Sequence, residues 1–186
     1  MKKFCLQKGK IIVIIGCLLA AVCAVRFLYP PVEEIPAGTI LIKGDAVENE
    51  LYLSLDELKS MEDGLVEADY FYVNSYGTKG YCSFKGIWLW YLLSEKAVLK
   101  ENASRVSFIA EDGYKVEYSL KEVKREDYID EQNTDTKYKM ILAWEENGVE
   151  YDLRTGNPFQ LVVGQREPGD VNRPYWVRNV QIINIE

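Results

Sequence analysis

An uncharged run of fifteen apolar residues near the N-terminus, from Ile11 to Val25, constrains this chain more than any other feature. A helix of that length spans about 22 Å, and its continuation through Tyr29 spans about 28 Å, close to the hydrocarbon thickness of a bilayer. The continuation requires the Arg26 side chain to reach the membrane interface. The Pro30-Pro31 pair then ends the helix. We therefore predict that residues 1–29 form a signal anchor that crosses the cell membrane once, through residues 11–29.

Charge near this run predicts its orientation. Four lysines precede it, and no acidic residue occurs before residue 27. Positive charge is retained on the cytoplasmic side, so the N-terminus is predicted to be cytoplasmic and the remainder extracytoplasmic. An alternative is a cleaved signal peptide, because Val22-Cys23-Ala24 is an acceptable cleavage site and would release a secreted protein.

The exported part is predicted to hold one domain. Residues 30–38 are rich in proline and acidic, which is typical of a stiff spacer, and residues 39–186 are long enough for one hydrophobic core. Beyond residue 26 the chain has 17 basic and 29 acidic side chains, so nucleic acid is excluded as a partner. Histidine is absent from the whole sequence, which excludes Ser/His and Cys/His catalysis and every histidine-containing metal site.

Hydrophobic patterning predicts an α+β domain with several short strands and two or three short helices. Asp112-Gly113 and Asn147-Gly148 each separate two alternating runs, as in β-hairpins. Ser54 and Ser119 are placed as N-caps of short helices over residues 54–61 and 119–124. The polar stretch 124–137 is interpreted as a solvated excursion. Strands are predicted over residues 39–42, 51–55, 66–73, 106–110, 114–118, 140–144, 150–153, 159–163 and 176–185.

Four stretches, in order, carry a resemblance to a known family. They are LSLDEL at 53–58, FKGIWLWYLL at 84–93, VSFIAEDGY at 106–114, and GNPFQLVV at 156–163 followed by WVRNV at 176–180. The last pair is similar to a G-x-P-hydrophobic-R-L-V-V and W-V-x-x-I ending. Together they resemble the molybdopterin-binding domain of the sulfite oxidase family, including its short bacterial members. The resemblance implies the same α+β fold, with mixed β-sheets and a few short helices, and a buried helix from Gly86 to Leu93.

The same resemblance implies where a molybdenum ligand would lie. Active members of that family place a cysteine thiolate about a dozen residues before the glycine that opens this helix. Counting back twelve residues from Gly86 reaches Asn74, which has no thiol. Cys82 is the one cysteine of the domain and lies only four residues before Gly86. We interpret it as a small buried side chain, the alternative being a metal ligand displaced by a rebuilt loop.

Arginines gather in the region where this family binds the phosphate of its cofactor. Arg166, Arg173 and Arg178 follow the LVV stretch, and guanidinium forks suit phosphate or carboxylate groups. The competing interpretation pairs them with Glu167, Asp170 and other surface carboxylates. The residues considered for cofactor binding are Asn74, Tyr76, Tyr114, Arg166, Arg173 and Arg178, with Cys82 considered as a metal ligand.

These observations lead to three hypotheses for function. The first is a membrane-tethered relative without molybdenum catalysis and without a cofactor, which binds a small ligand or an envelope protein. The second is a molybdopterin-dependent oxidoreductase with atypical metal ligation. The third is a structural protein of the cell envelope.

Overall fold

The computed structural model describes residues 35–186. The predicted membrane segment and the first part of the spacer, residues 30–34, lie outside the described residues. From residue 35 onward, no helix combines the length and the apolar character needed to cross a membrane.

Five strands form the first sheet: β1 (Thr39–Lys43), β2 (Leu51–Ser54), β5 (Arg105–Ala110), β6 (Lys115–Ser119) and β13 (Val180–Ile185). Their spatial order is β2-β1-β13-β5-β6. The pairing of β1 with β13 is parallel and the others are antiparallel, so the sheet is mixed. The first and last strands of the domain therefore lie side by side.

The second sheet contains β3 (Leu65–Val73), β4 (Lys79–Trp88), β9 (Ile141–Glu146), β10 (Val149–Glu150), β11 (Gln160–Val162) and β12 (Val177–Arg178). Its order is β12-β11-β9-β4-β3, with β10 paired to β9. A two-stranded sheet joins β7 (Tyr128–Ile129) to β8 (Lys137–Tyr138). All pairings in these two sheets are antiparallel, and one buried hydrophobic cluster contains side chains of both large sheets.

Residues 35–186 contain three short α-helices: α1 (Leu55–Lys59), α2 (Leu89–Lys96) and α3 (Leu120–Val123). Three 3-10 turns lie at Glu62–Gly64, Leu153–Thr155 and Arg173–Tyr175. Both predicted N-caps are confirmed, because Ser54 and Ser119 each form a capping box with the glutamate three residues on. The predicted fold class of mixed sheets with a few short helices is thus confirmed for the described domain.

The helix predicted from Gly86 begins three residues later than expected. Residues 86–88 continue β4, and α2 starts at Leu89 and buries Leu89, Leu92 and Leu93 as predicted. Gly86 lies against β9, where an added Cβ would come within 2.4 Å of the carbonyl oxygen of Leu142. The glycine therefore serves close packing within the sheet rather than the start of a helix.

Two other predictions need correction. The polar stretch 124–137 is not wholly solvated, because it contributes the buried side chains of Tyr128 and Asp130. The strand predicted over residues 176–185 is broken at Asn179, which has a φ of 53°. Residues before Asn179 pair in the second sheet and residues after it pair in the first, so one segment links the two sheets.

Candidate functional site

Asn74 lies at the tip of the β3–β4 hairpin, where its side chain stabilises the turn. Its Oδ1 accepts hydrogen bonds from the N–H groups of Tyr76 and Thr78, both at 2.9 Å. Gly77, with a φ of 78°, completes the turn by donating its N–H to the Asn74 carbonyl. The Tyr76 side chain is 94% exposed. The sequence position that the family resemblance assigns to the metal ligand is therefore a turn residue whose amide oxygen is already engaged.

Cys82 is only partly buried, contrary to the interpretation as a buried core side chain. It lies on β4, and its Sγ is 3.7 Å from Nη1 of Arg173. Burial raises the pKa of the Cys82 thiol, and the neighbouring guanidinium opposes that rise. The protonated thiol is thus the stable form at neutral pH.

Arg173 and Arg178 meet at one carboxylate, that of Glu146. Nη2 of Arg173 is 3.8 Å from Glu146 Oε1, and Arg178 pairs with Oε2 of the same side chain. The oxygen of the Tyr151 hydroxyl lies 3.3 Å from Oε2 of the same carboxylate. These residues, Cys82, Glu146, Tyr151, Arg173 and Arg178, form what we call the Glu146 cluster.

Aromatic rings hold both guanidinium groups of the Glu146 cluster. The Arg173 guanidinium lies 4.4 Å from the ring centre of Trp176 and 5.0 Å from that of Tyr72. Arg178 lies 5.3 Å from the ring of Tyr151. The Glu146 side chain is only 15% exposed, and its carboxylate neutralises part of the charge of both arginines. The two guanidinium groups are therefore already paired with an anion of the chain itself.

The third arginine of the predicted set belongs to a different group. Nε of Arg166 is 3.6 Å from Glu122, and its guanidinium lies 4.5 Å from the ring of Tyr175. The Tyr114 hydroxyl donates to the carbonyl of Pro174 at 3.3 Å, and its side chain is half exposed. The fold therefore brings Cys82, Arg173 and Arg178 together and places the other candidates in separate contacts.

Two carboxylates accept hydrogen bonds from backbone N–H groups of the loop that follows β11. The N–H of Arg166 donates to Asp170 Oδ2 at 3.0 Å, and the N–H of Gly169 donates to Glu131 Oε2 at 2.6 Å. Backbone N–H groups of such a loop are what would bind a phosphate. Here they are satisfied by the chain's own anions.

Sequence reasoning missed Glu146, Tyr151 and Glu131. Glu146 ends β9 beside a hairpin turn, a position where a charged residue is ordinary, and Glu131 lies in a stretch interpreted as solvated. Neither glutamate has a local sequence pattern that distinguishes it from a surface residue.

The packing of one mixed sheet and one antiparallel sheet around a shared core defines a domain with the sulfite oxidase type of fold. The chain belongs to the family described as the oxidoreductase molybdopterin binding domain, whose model matches residues 30–185. A similar solved structure is the sulfane dehydrogenase SoxCD from Paracoccus pantotrophus, with 20% identity and a TM-score of 0.57. The match covers 79% of this chain but only 37% of that protein chain, so it concerns the fold alone. No curated protein matches the chain.

The position that the family resemblance assigns to the molybdenum ligand does not fit that metal. Within residues 35–186, no group of three or more Cys, Asp or Glu side chains is arranged to hold a metal ion. Asn74 offers a neutral amide oxygen engaged in its own turn, and Cys82 lies on β4, eight residues beyond that position. Gln160 stands where the pattern G-x-P-hydrophobic-R has its arginine, and its side chain is buried and accepts the Tyr151 hydroxyl at 2.7 Å. The family position therefore lacks the charged sulfur that ligates molybdenum in active members.

Proposed function

We propose that the chain is a binding domain of the oxidoreductase molybdopterin binding domain family that does not ligate molybdenum. It is held at the extracytoplasmic side of a membrane by residues 11–29, and it binds a small ligand or an envelope protein. The observation that carries this proposal is the engagement of the Asn74 amide in the hairpin turn, at the position where active members have their thiolate.

The loop after β11 supports the same proposal. The side chains of Asp170 and Glu131 accept hydrogen bonds from backbone N–H groups of this loop, so a pterin phosphate would have to displace them. Both carboxylates would also repel the negative charge of the phosphate. Arg173 and Arg178 are likewise paired with Glu146. The cationic groups near the expected cofactor position are thus already paired.

One observation favours the second candidate function, a molybdopterin-dependent oxidoreductase with Cys82 as the ligand. Arg173 lies beside the Cys82 sulfur, and a neighbouring guanidinium favours a thiolate. Burial opposes this effect and prevails, since the pKa of Cys82 is raised overall.

Measurement of bound molybdenum decides between the two functions. The full chain, expressed in a host that synthesises the cofactor and purified from membranes, is expected to contain far less than one molybdenum per chain and no released pterin fluorescence. The Cys82→Ser variant should give the same values, as should the control variant Ser83→Ala on the same strand.

Stoichiometric molybdenum in the wild type, lost in Cys82→Ser but retained in Ser83→Ala, would show that Cys82 is the ligand. The chain would then be an oxidoreductase of the family, and the proposal would be wrong.

A further inference from the structure

A second site is formed by an open groove between the outer part of the β3–β4 hairpin and the segment from Asp130 to Tyr138. The groove has a volume of about 440 Å³, within the range that small ligands occupy. It is lined chiefly by Asp69, Tyr81, Asp130, Asn133, Thr136 and Tyr138. We call it the Tyr81 groove. It shares no residue with the Glu146 cluster, although β4 carries both Tyr81 of the groove and Cys82 of the cluster.

Asp130 forms a rigid floor for the Tyr81 groove. Its side chain is buried and accepts hydrogen bonds from two backbone N–H groups of its own turn and from the Tyr81 hydroxyl, with the Tyr138 hydroxyl close by. The hydroxyl of Tyr81 is 3.0 Å away and that of Tyr138 is 3.2 Å away. The Tyr138 ring is stacked on Tyr70 with 4.6 Å between ring centres. The aromatic groups of the groove are therefore preorganised before any ligand arrives.

Tyr81 provides an accessible aromatic wall. Half of its surface is exposed, although its hydroxyl is bound to Asp130 and its ring meets Phe71 edge-on at 5.3 Å. An exposed ring that is fixed in orientation presents apolar contact area at little cost in side-chain entropy.

Polar side chains at the rim remain free to bind a ligand. Across the described part of the chain, the side chains of Asp69, Asn133 and Thr136 make no hydrogen bond or ion pair. Together they offer a carboxylate, an amide and a hydroxyl, which can both donate and accept hydrogen bonds.

The lining excludes several ligand classes. No lysine or arginine lines the groove, and two carboxylates do, so phosphates and other anions are disfavoured. Ala68 is the single aliphatic side chain in the lining, so a lipid chain would find little apolar surface. A ligand with many hydroxyl groups and an apolar ring face satisfies both the polar rim and the Tyr81 ring.

We propose that the Tyr81 groove binds a neutral saccharide, with one sugar ring lying against Tyr81 and its hydroxyl groups bonded to Asp69, Asn133 and Thr136. This inference goes beyond the proposed function and does not depend on it, because the groove residues have no part in molybdenum ligation. A cationic ligand, attracted by the two carboxylates, is the outcome that the test must distinguish.

The test uses the full chain in lipid nanodiscs, since common detergents carry sugar headgroups. Calorimetric titration with chitotriose, cellotriose and maltotriose is expected to show binding of at least one of them. Tyr81→Ala should weaken that binding about tenfold, the loss expected for one aromatic contact and its fixed orientation. Asn133→Ala should weaken it by a smaller factor.

Tyr76→Ala is the matched control, since Tyr76 is a fully accessible tyrosine on the adjacent turn and lies outside the groove. It should leave saccharide affinity unchanged, and all variants should keep the wild-type melting temperature within a few degrees. The proposal is overturned if none of the three oligosaccharides binds, if Tyr81→Ala and Tyr76→Ala bind equally well, or if a lysine-rich peptide binds in their place.

Discussion

A single buried amide stabilises the exposed edge of the second sheet. Asn172 Oδ1 accepts the N–H of Val73 at 2.9 Å, while its Nδ2 donates to the carbonyls of Phe71 and Val163, both at 3.0 Å. β3 is an edge strand, so its outward backbone groups would otherwise be unpaired. The Asn172 side chain therefore pairs two of the outward backbone groups of β3, and it ties β3 to the residue that follows β11.

Replacement of Asn172 by alanine should lower the free energy of unfolding by about 3 kcal/mol, because it leaves buried backbone groups unsatisfied. Urea denaturation of the wild type and the variant measures the difference. Asn102→Ala is the control, since Asn102 is exposed and should change stability by less than about 0.5 kcal/mol. Equal stabilities of the two variants would mean that water replaces the amide without cost.

At the scale of elements, Glu131 joins three parts of the chain that are far apart in sequence. Its carboxylate is 2.6 Å from Lys79 Nζ at the start of β4 and accepts the N–H of Gly169 in the loop after β11. These contacts, with that of Lys79 the largest, lower the pKa of Glu131 from its usual value of 4.5. The loop after β11 is thus linked to the start of β4 through an ionised carboxylate.

This contact predicts a pH-dependent stability. Because the pKa of Glu131 is lowered on folding, its stabilisation is present above pH 4.5, the value for the unfolded chain, and is lost as the pH falls through the folded value. Glu131→Gln should therefore be less stable than the wild type at neutral pH, and the difference should shrink below pH 4.5. Glu167→Gln, at an exposed carboxylate of the same loop, is the control.

Thermal melts from neutral to acidic pH measure both variants against the wild type. A Glu131→Gln difference that stays constant across this range would contradict the assigned role of the ionised carboxylate.

At the scale of the whole molecule, the two parts of the sequence carry opposite charge. The residues before residue 27 include five basic and no acidic side chains, whereas the remainder has twelve more acidic than basic side chains. This asymmetry is the pattern expected when a positive flank stays in the cytoplasm and an acidic domain is exported. Our proposal of a tethered extracytoplasmic domain rests on it and on the apolar run.

We expect the intact protein to sediment with membranes and to resist extraction by carbonate. Protease added from the outside should digest the domain and leave the N-terminal segment protected. The double variant Leu18→Arg/Leu19→Arg should lose membrane integration, since each arginine at the centre of a span costs about 2.5–3.5 kcal/mol. A soluble wild-type product beginning at Val25 would instead establish a cleaved signal peptide.

The sequence by itself determined the features whose partners lie within a few residues. The Asp112-Gly113 and Asn147-Gly148 turns are confirmed, with positive φ at Gly113, Asn147 and Gly148. So are the N-caps at Ser54 and Ser119, and the structure adds that each serine forms a capping box with the glutamate three residues away. Such contacts depend on local geometry, so residue type and spacing are enough to predict them. The order of four family motifs added the fold class.

The tertiary structure alone decided which distant residues meet. Cys82 and Arg173 are 91 positions apart, and Asn172 and Phe71 are 101 apart. Periodicity reports which face of an element is buried but not which other element covers it. The Glu146 cluster, the Tyr81 groove and the change of sheet at Asn179 all arise from strand order, which follows from the packing of the whole core around both sheets. For that reason the sequence could supply Arg173, Arg178 and Cys82 as candidates, while only the fold joined them to Glu146.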